Sequence, residues 1–198
     1  MTTQKTSRRE AILLALVELL ETDPGARITT AGLARSVGVT EAALYRHFPS
    51  KRKMFEALIE FAEEAVFSRC QTILQEQDDP RQRLRQLGEL VLVFAERNPG
   101  LCRVLNGEAL MGEDASLRKR ASQFFERLET QIRQILKEGE IRQGLRPAPS
   151  ATRAAEWLMT FLEGRLQRFT RSSYDHLPSK DWQEIWPALA AGLWSEPS

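Results

Sequence analysis

The segment from Ile28 to Lys53, ITTAGLARSVGVTEAALYRHFPSKRK, constrains the fold more than any other feature, because it encodes two short helices joined at a glycine. Thr29 or Thr30 is placed to cap the first helix, and Thr40 is placed to cap the second. Between them, Gly38 can take the positive φ angle that a sharp turn requires. Helices this short are stable only when they pack on each other, so the pattern predicts a helix-turn-helix.

The chain on either side of this turn completes a three-helix unit. Apolar residues at helical spacing predict a helix before the turn, which Asp23-Pro24-Gly25 would end. After the turn, Pro49 would end the second short helix, and Ser50 would cap a long helix that continues to about Gln77. We therefore place an N-terminal helix-turn-helix domain at residues 1–53, with its last helix running on into the rest of the chain.

The second short helix, Thr40 to His47, has the composition of a helix that enters the major groove of DNA. Small residues near its start allow close approach, and hydroxyl, phenol and basic side chains can reach phosphates and base edges. For any one residue a half-buried structural role is an equally good explanation, but the caps, the turn and the basic rim all agree. The predicted DNA contacts are Arg27, Thr29, Thr30, Thr40, Ala42, Ala43, Tyr45, Arg46, His47 and Lys51.

The charge distribution supports this interpretation, although the whole chain has a formal net charge of only +1. Residues 1–53 contain nine Lys and Arg against five Asp and Glu, a net charge of +4, and the remainder has a net charge of −3. Positive charge is thus concentrated where phosphates would be contacted. Lys5, Arg8 and Arg9 would extend it into a flexible N-terminal arm, which either follows phosphates or only aids solubility.

The rest of the chain, residues 54–198, has a helical pattern nearly throughout, with helix breakers at regular intervals. Helices are expected over about 80–97, 101–111 and 114–138, followed by a loop over 139–149 that is rich in Gly and Pro. Two more helices follow, capped by Ser150 and by Asp181. The sequence therefore predicts an all-α protein of about nine helices.

The last two predicted helices carry large apolar faces, which near a chain end often form a partner surface. Two antiparallel helices from each subunit could build a four-helix dimer interface, in which Gly164 allows close approach. The alternative is that these residues close the core of a single chain. A dimer is also favoured because helix-turn-helix proteins commonly bind two half-sites. The predicted interface residues are Trp157, Phe161, Gly164, Trp182, Trp186 and Leu189.

Other classes of function have no matching pattern in the sequence. No run of about 18–20 apolar residues could span a bilayer, and no apolar signal region opens the chain, so a cytoplasmic protein is expected. Cys70 and Cys102 lack the spacing of a metal or redox motif, and the chain has only two histidines. No nucleophile-base set, phosphate loop or metal cluster indicates an enzyme, and no cofactor is expected.

The run TEAALYRHFPSK is similar to the signature of the TetR family of bacterial DNA-binding regulators, with Tyr45, His47, Phe48 and Lys51 matching it in order. The resemblance implies a TetR-like fold, in which an N-terminal helix-turn-helix unit precedes a C-terminal helical dimerisation domain at residues 54–198. It also implies a homodimer that binds palindromic double-stranded DNA. A repressor that responds to a small ligand in its C-terminal half is the alternative function within this family.

Longer segments resemble a narrower group of this family, the nucleoid occlusion factors; they are RITTAGLARSVGVTEAALYRHFPSKRKMFEALIEF, FAERNPGLCRVLNGEALM and FFERLETQIRQIL. This resemblance implies a nucleoid-associated protein that, when bound to chromosomal palindromes, antagonises FtsZ, the tubulin-like cell-division GTPase, and keeps septa off the nucleoid. Several dimers could bind one DNA site. The FtsZ-facing residues would be Arg69, Leu90, Arg97 and Asn98, whereas Val93 departs from the group, in which glycine can occur.

The two functions predict different interiors. A closed apolar cavity among the helices of residues 54–172 would favour the ligand-responsive repressor. A filled core with a basic groove near Arg69 and Arg97 would favour binding of an acidic partner peptide, such as a disordered FtsZ tail. From spacing alone, Asn98-Pro99-Gly100 is an ordinary helix end, and only the resemblance assigns it to a partner surface.

Overall fold

A computed structural model describes residues 7–22 and 28–195. Within these residues the chain forms nine α-helices, one short 3-10 helix and two paired two-residue strands, which confirms the predicted all-α fold. The helices are α1 (Arg8–Thr22), α2 (Thr30–Val37), α3 (Glu41–His47), α4 (Lys51–Glu76), α5 (Pro80–Arg97), α6 (Pro99–Leu105), α7 (Ala115–Gln143), α8 (Ala151–Arg171) and α9 (Trp182–Leu193). The strands are β1 (Arg146–Pro147) and β2 (Trp194–Ser195), and the 3-10 helix is Glu108–Leu110.

The described residues divide into two compact units. The N-terminal unit runs to Ala62, inside α4, and also contains Asn98–Ala121. The C-terminal unit contains Glu63–Arg97 and the chain from Ser122 onwards. The functional boundary expected at residue 53 is a different division of the chain and stays a prediction.

The N-terminal unit has α1 at its centre, packed against α2 and α6. Ile12, Leu16 and Leu20, spaced four residues apart, are buried along one side of α1. Helix α6 approaches α1 so closely that a Cβ atom at Gly100 would lie 2.7 Å from the carbonyl oxygen of Val17. The α6 segment therefore completes the core on which the helix-turn-helix rests.

In the C-terminal unit, α5 packs against α8 and α9. The indole of Trp182 covers Gly88 of α5, where a Cβ atom would lie only 2.5 Å from Cζ2 of the indole. Its Nε1 donates to the carbonyl oxygen of Arg85 at 3.1 Å, and its ring centroid lies 5.4 Å from that of Trp186. The core is thus filled by aromatic rings at this point.

The end of α7 and the loop that follows it differ from the predictions. Helix α7 continues to Gln143 instead of ending near Glu138, because Gly139 is enclosed between Pro80 and Trp194 and so is held in the helix. The loop expected over 139–149 is correspondingly shorter and contains β1, whose Pro147 pairs with Trp194 of β2.

The helix expected over 101–111 is divided, because Gly107 has a φ angle of 79° that ends α6 before the 3-10 helix. The expected cap of α9 is also wrong in its detail. Asp181 has a φ angle of 58° and its side chain makes no capping hydrogen bond, whereas Ser150 caps α8 as predicted, accepting from the Arg153 N–H at 3.3 Å.

Candidate functional site

The helix-turn-helix is built on the predicted caps and turn. Thr29 Oγ1 accepts a hydrogen bond from the Gly32 N–H at 3.1 Å, and Thr40 Oγ1 accepts one from the Ala43 N–H at 3.2 Å. Gly38, with a φ angle of 70°, ends α2. Because each short helix has a defined start and the turn is fixed, α3 has a defined orientation on α2.

The interior face of the unit also follows the sequence pattern. Leu33, Ala34, Leu44 and Phe48 are buried. The guanidinium of Arg9 lies 4.8 Å from the Phe48 ring centroid, a cation–π arrangement within the unit.

The expected N-terminal arm requires correction. Arg8 and Arg9 belong to α1 and so are not part of a flexible arm, and Lys5 lies outside the described residues.

Helix α3 presents polar side chains to solvent. Tyr45, Arg46 and His47 are exposed, and within the described part of the chain none of them has a side-chain hydrogen bond or ion pair. Ala42 is exposed and Ala43 half-buried at the other end of the helix. The helix therefore has small side chains near its N-terminal end and, near its C-terminal end, donors that are available to a ligand.

Lys51, a predicted phosphate contact, is already engaged. Its ammonium forms an ion pair with Glu113, and both side chains are largely buried, at 20% and 14% exposed. Its ammonium also lies 5.6 Å from the Phe55 ring centroid. A phosphate contact by Lys51 would therefore have to compete with Glu113 for its charge, and Glu113 is 62 residues away, where no local sequence pattern could indicate it.

Thr30 is engaged as well. Its hydroxyl donates to Oε2 of Glu41 at 2.7 Å, and Glu41 is the exposed first residue of α3. The sequence prediction does not include Glu41, although its position directly after the Thr40 cap identifies it as the first residue of α3. The remaining predicted contact, Arg27, lies outside the described residues.

The predicted partner surface includes two arginines that are available to a partner. Arg69 on α4 and Arg97 at the end of α5 are exposed, and neither has a hydrogen bond or ion pair within the described residues. By contrast, the Arg83 guanidinium pairs with Glu138 at 2.9 Å and donates to backbone carbonyls. Leu90 is half-buried on α5, and Asn98 directly precedes α6.

The predicted dimer residues fall into two groups. Trp182, Trp186 and Leu189 are 2%, 6% and 7% exposed and belong to the core of the single chain, so they have little surface left to bury against a partner. Trp157 is 44% exposed, and a Cβ atom added at Gly164 would meet nothing within 4 Å. The accessible candidates therefore lie on α8.

A groove of about 680 Å³ runs beside α8 and the start of α9. Phe161, Gly164 and Arg165 form part of its wall, and it is open to solvent. Arg165 is fixed there by donating to the carbonyl oxygen of Pro178 at 2.6 Å. Because it is open to solvent, this groove is not the closed cavity among the helices of residues 54–172 that the repressor function predicts.

The described residues offer little for other chemistry. They contain no cluster of three or more His, Cys, Asp or Glu that could hold a metal ion, and no helix long and apolar enough to cross a membrane. Burial raises the pKa of Cys70 to about 11 and that of Cys102 to about 12, so both thiols stay protonated at neutral pH.

Two family models match the chain. The model of the bacterial regulatory proteins of the TetR family matches residues 12–58, which include the helix-turn-helix. A model described as a SlmA-like, tetracyclin repressor-like C-terminal domain matches residues 78–193.

The similar proteins include several named Nucleoid occlusion factor SlmA. The chain is 76% identical to the one from Marinobacter nauticus, covering 98% of this chain and 100% of that protein. It is 50% identical to the one from Marinomonas sp., covering 98% of each, and 52% identical to the one from Vibrio cholerae, covering 96% of this chain and 97% of that protein.

Solved structures show the same fold at low identity. The TetR family transcriptional regulator PfmR from Thermus thermophilus aligns with a TM-score of 0.74 at 20% identity, covering 98% of both chains. The fatty acid degradation regulator FadR from Bacillus halodurans aligns with a TM-score of 0.79 at 16% identity, covering 96% of this chain and 98% of that chain. At these identities the likeness concerns the fold alone.

Proposed function

Because this chain belongs to the TetR family of bacterial DNA-binding regulators and to its SlmA group, we propose that it acts as a nucleoid occlusion factor. It binds palindromic sites on the chromosome as a homodimer. In the DNA-bound form it inhibits or disassembles FtsZ polymers, so that division septa do not form over the nucleoid. Its place is accordingly in the cytoplasm, on the nucleoid.

One observation carries this proposal: the likeness extends over both halves of the chain. The 76% identity covers 98% of the sequence, and the SlmA-like model matches residues 78–193, well outside the DNA-binding unit. A likeness confined to residues 12–58 would have supported DNA binding only.

The geometry of α3 supports the DNA-binding step. The capped helix carries Tyr45, Arg46 and His47, whose polar groups have no partner among the described residues and so can contact phosphates and base edges. A dimer would present two such helices to the two halves of a palindrome. Exposed Trp157 and the open surface at Gly164 are the α8 features available to a second copy.

The FtsZ-binding step is supported by two arginines of the C-terminal unit. Arg69 and Arg97 are exposed and pair with no carboxylate among the described residues, so they can bind a partner carboxylate without first losing one of those contacts. An acidic peptide segment of FtsZ is the partner chemistry that fits them. Leu90, half-buried on α5 about two turns before Arg97, would add an apolar contact.

The ligand-responsive repressor is less well supported. Around Gly88 the interior of the C-terminal unit is occupied by the Trp182 indole, which leaves no room even for a methyl group at that position. The groove beside α8 is open to solvent and so is not a closed ligand cavity.

The proposed partner surface can be tested with one arginine variant. Arg97→Ala should raise the protein concentration that halves the sedimentable FtsZ polymer, in the presence of a bound palindrome, by about 5- to 50-fold, the effect on affinity of losing one strong interface contact. DNA affinity, measured by fluorescence anisotropy, should be unchanged.

The matched control is Arg142→Ala. This arginine belongs to the same unit, is also exposed and has no partner among the described residues. It lies at the end of α7, away from the predicted FtsZ-facing residues in the sequence. If both variants act on FtsZ like the wild type, the partner surface is misplaced.

A further inference from the structure

Glu41 is an unexpected residue on a helix that faces DNA. It is the first residue of α3, it is exposed, and it has no cation partner within the described residues. An unpaired carboxylate repels the phosphate backbone, so its presence weakens DNA binding unless it meets a hydrogen-bond donor there.

The carboxylate is held in a defined orientation. Oε2 accepts a hydrogen bond from the Thr30 hydroxyl at 2.7 Å, which joins the starts of α2 and α3. Oε1 has no hydrogen-bond partner in the described part of the chain. The next residues, Ala42 and Ala43, are too short to screen it, so one acceptor oxygen remains available to a ligand.

The major groove offers only two kinds of donor, the N4 amino group of cytosine and the N6 amino group of adenine. Adenine has its N7 acceptor beside N6, and the lone pair of N7 repels a carboxylate. Cytosine has its N4 amino group without such an acceptor on the same base. A carboxylate acceptor is therefore matched by cytosine.

We infer that Glu41 is a specificity-determining residue, an inference that rests on the proposed DNA-binding function. Glu41 selects a cytosine in each half-site by accepting a hydrogen bond from the N4 amino group of that base. The Thr30 hydroxyl orients the carboxylate for this contact. The negative charge also lowers affinity for DNA that lacks a cytosine there, so Glu41 raises the ratio of specific to non-specific binding.

The test is selection of bound duplexes from a randomised DNA library, followed by affinity measurements on single-base variants of the selected site. The wild-type protein should prefer cytosine at one position of each half-site by about 5- to 150-fold, the usual cost of one mismatched base pair in a specific site. Glu41→Gln should shift that preference towards adenine, since an amide can both donate to N7 and accept from N6. Glu41→Ala should show no preference there.

The matched control is Glu60→Gln, which removes another exposed carboxylate, on α4, and should leave the base preference unchanged. If both Glu41 variants keep the wild-type preference, or only bind all sequences more tightly by the same factor, the inference is wrong and Glu41 is a structural tie to Thr30. A wild-type protein that selects no sequence would instead contradict the proposed DNA binding itself.

Discussion

Glu163 on α8 is a half-buried carboxylate without a hydrogen-bond partner within the described residues. Burial, and secondly the nearby carboxylate of Glu129, raise its pKa above the ordinary value. A raised pKa in the folded state means that the ionised form destabilises the fold, so stability increases as the pH falls through that raised pKa.

Glu163→Gln should therefore raise the melting temperature at pH 7 by about 1–2 °C, a small effect for a domain of this size. The advantage over the wild type should shrink as the pH is lowered and Glu163 becomes protonated. Glu140→Gln, an exposed carboxylate on α7 without a partner within the described residues, is the control and should change little. A lower melting temperature for Glu163→Gln at pH 7 would mean that the carboxylate has a stabilising partner.

Among the elements, helix α5 contains Gly88 in its interior, although most other residues would favour a helix more at that position. Glycine costs a helix interior about 1 kcal/mol relative to alanine, but at Gly88 a methyl group would collide with the Trp182 indole. The indole cannot easily move, because its Nε1 is bonded to the Arg85 carbonyl and it packs against Trp186.

Gly88→Ala should consequently destabilise the protein by about 1–3 kcal/mol, the usual cost of overpacking, despite its better helix propensity. Urea unfolding followed by circular dichroism measures this. Gln86→Ala on the same helix should stay within about 0.5 kcal/mol of the wild type. Equal or greater stability of Gly88→Ala would show that the core has room there, and would favour a ligand cavity.

At this scale the sequence predicts local features well and long-range ones poorly. The caps at Thr29 and Thr40 and the turn at Gly38 depend on neighbouring residues and are confirmed. The continuation of α7 through Gly139 depends on Pro80 and Trp194, both distant in the chain. The candidate site follows the same rule. Tyr45 is exposed on α3, as a DNA contact requires, although the contact itself stays a prediction, whereas the Lys51 ion pair with Glu113 could not be foreseen.

For the whole molecule, we propose that one chain has two linked activities. The helix-turn-helix would mark where the chromosome lies, and Arg69 and Arg97 of the C-terminal unit would act on FtsZ. The central claim is that the second activity depends on the first, which neither a simple repressor nor a simple FtsZ inhibitor would require.

The most direct test measures FtsZ polymers by sedimentation in the presence of GTP and the wild-type protein, with either a palindromic duplex that the protein binds or a scrambled duplex of equal length. We predict a marked loss of sedimented polymer with the palindrome and little loss with the scrambled duplex or with protein alone. Equal amounts of polymer under all three conditions would contradict the account.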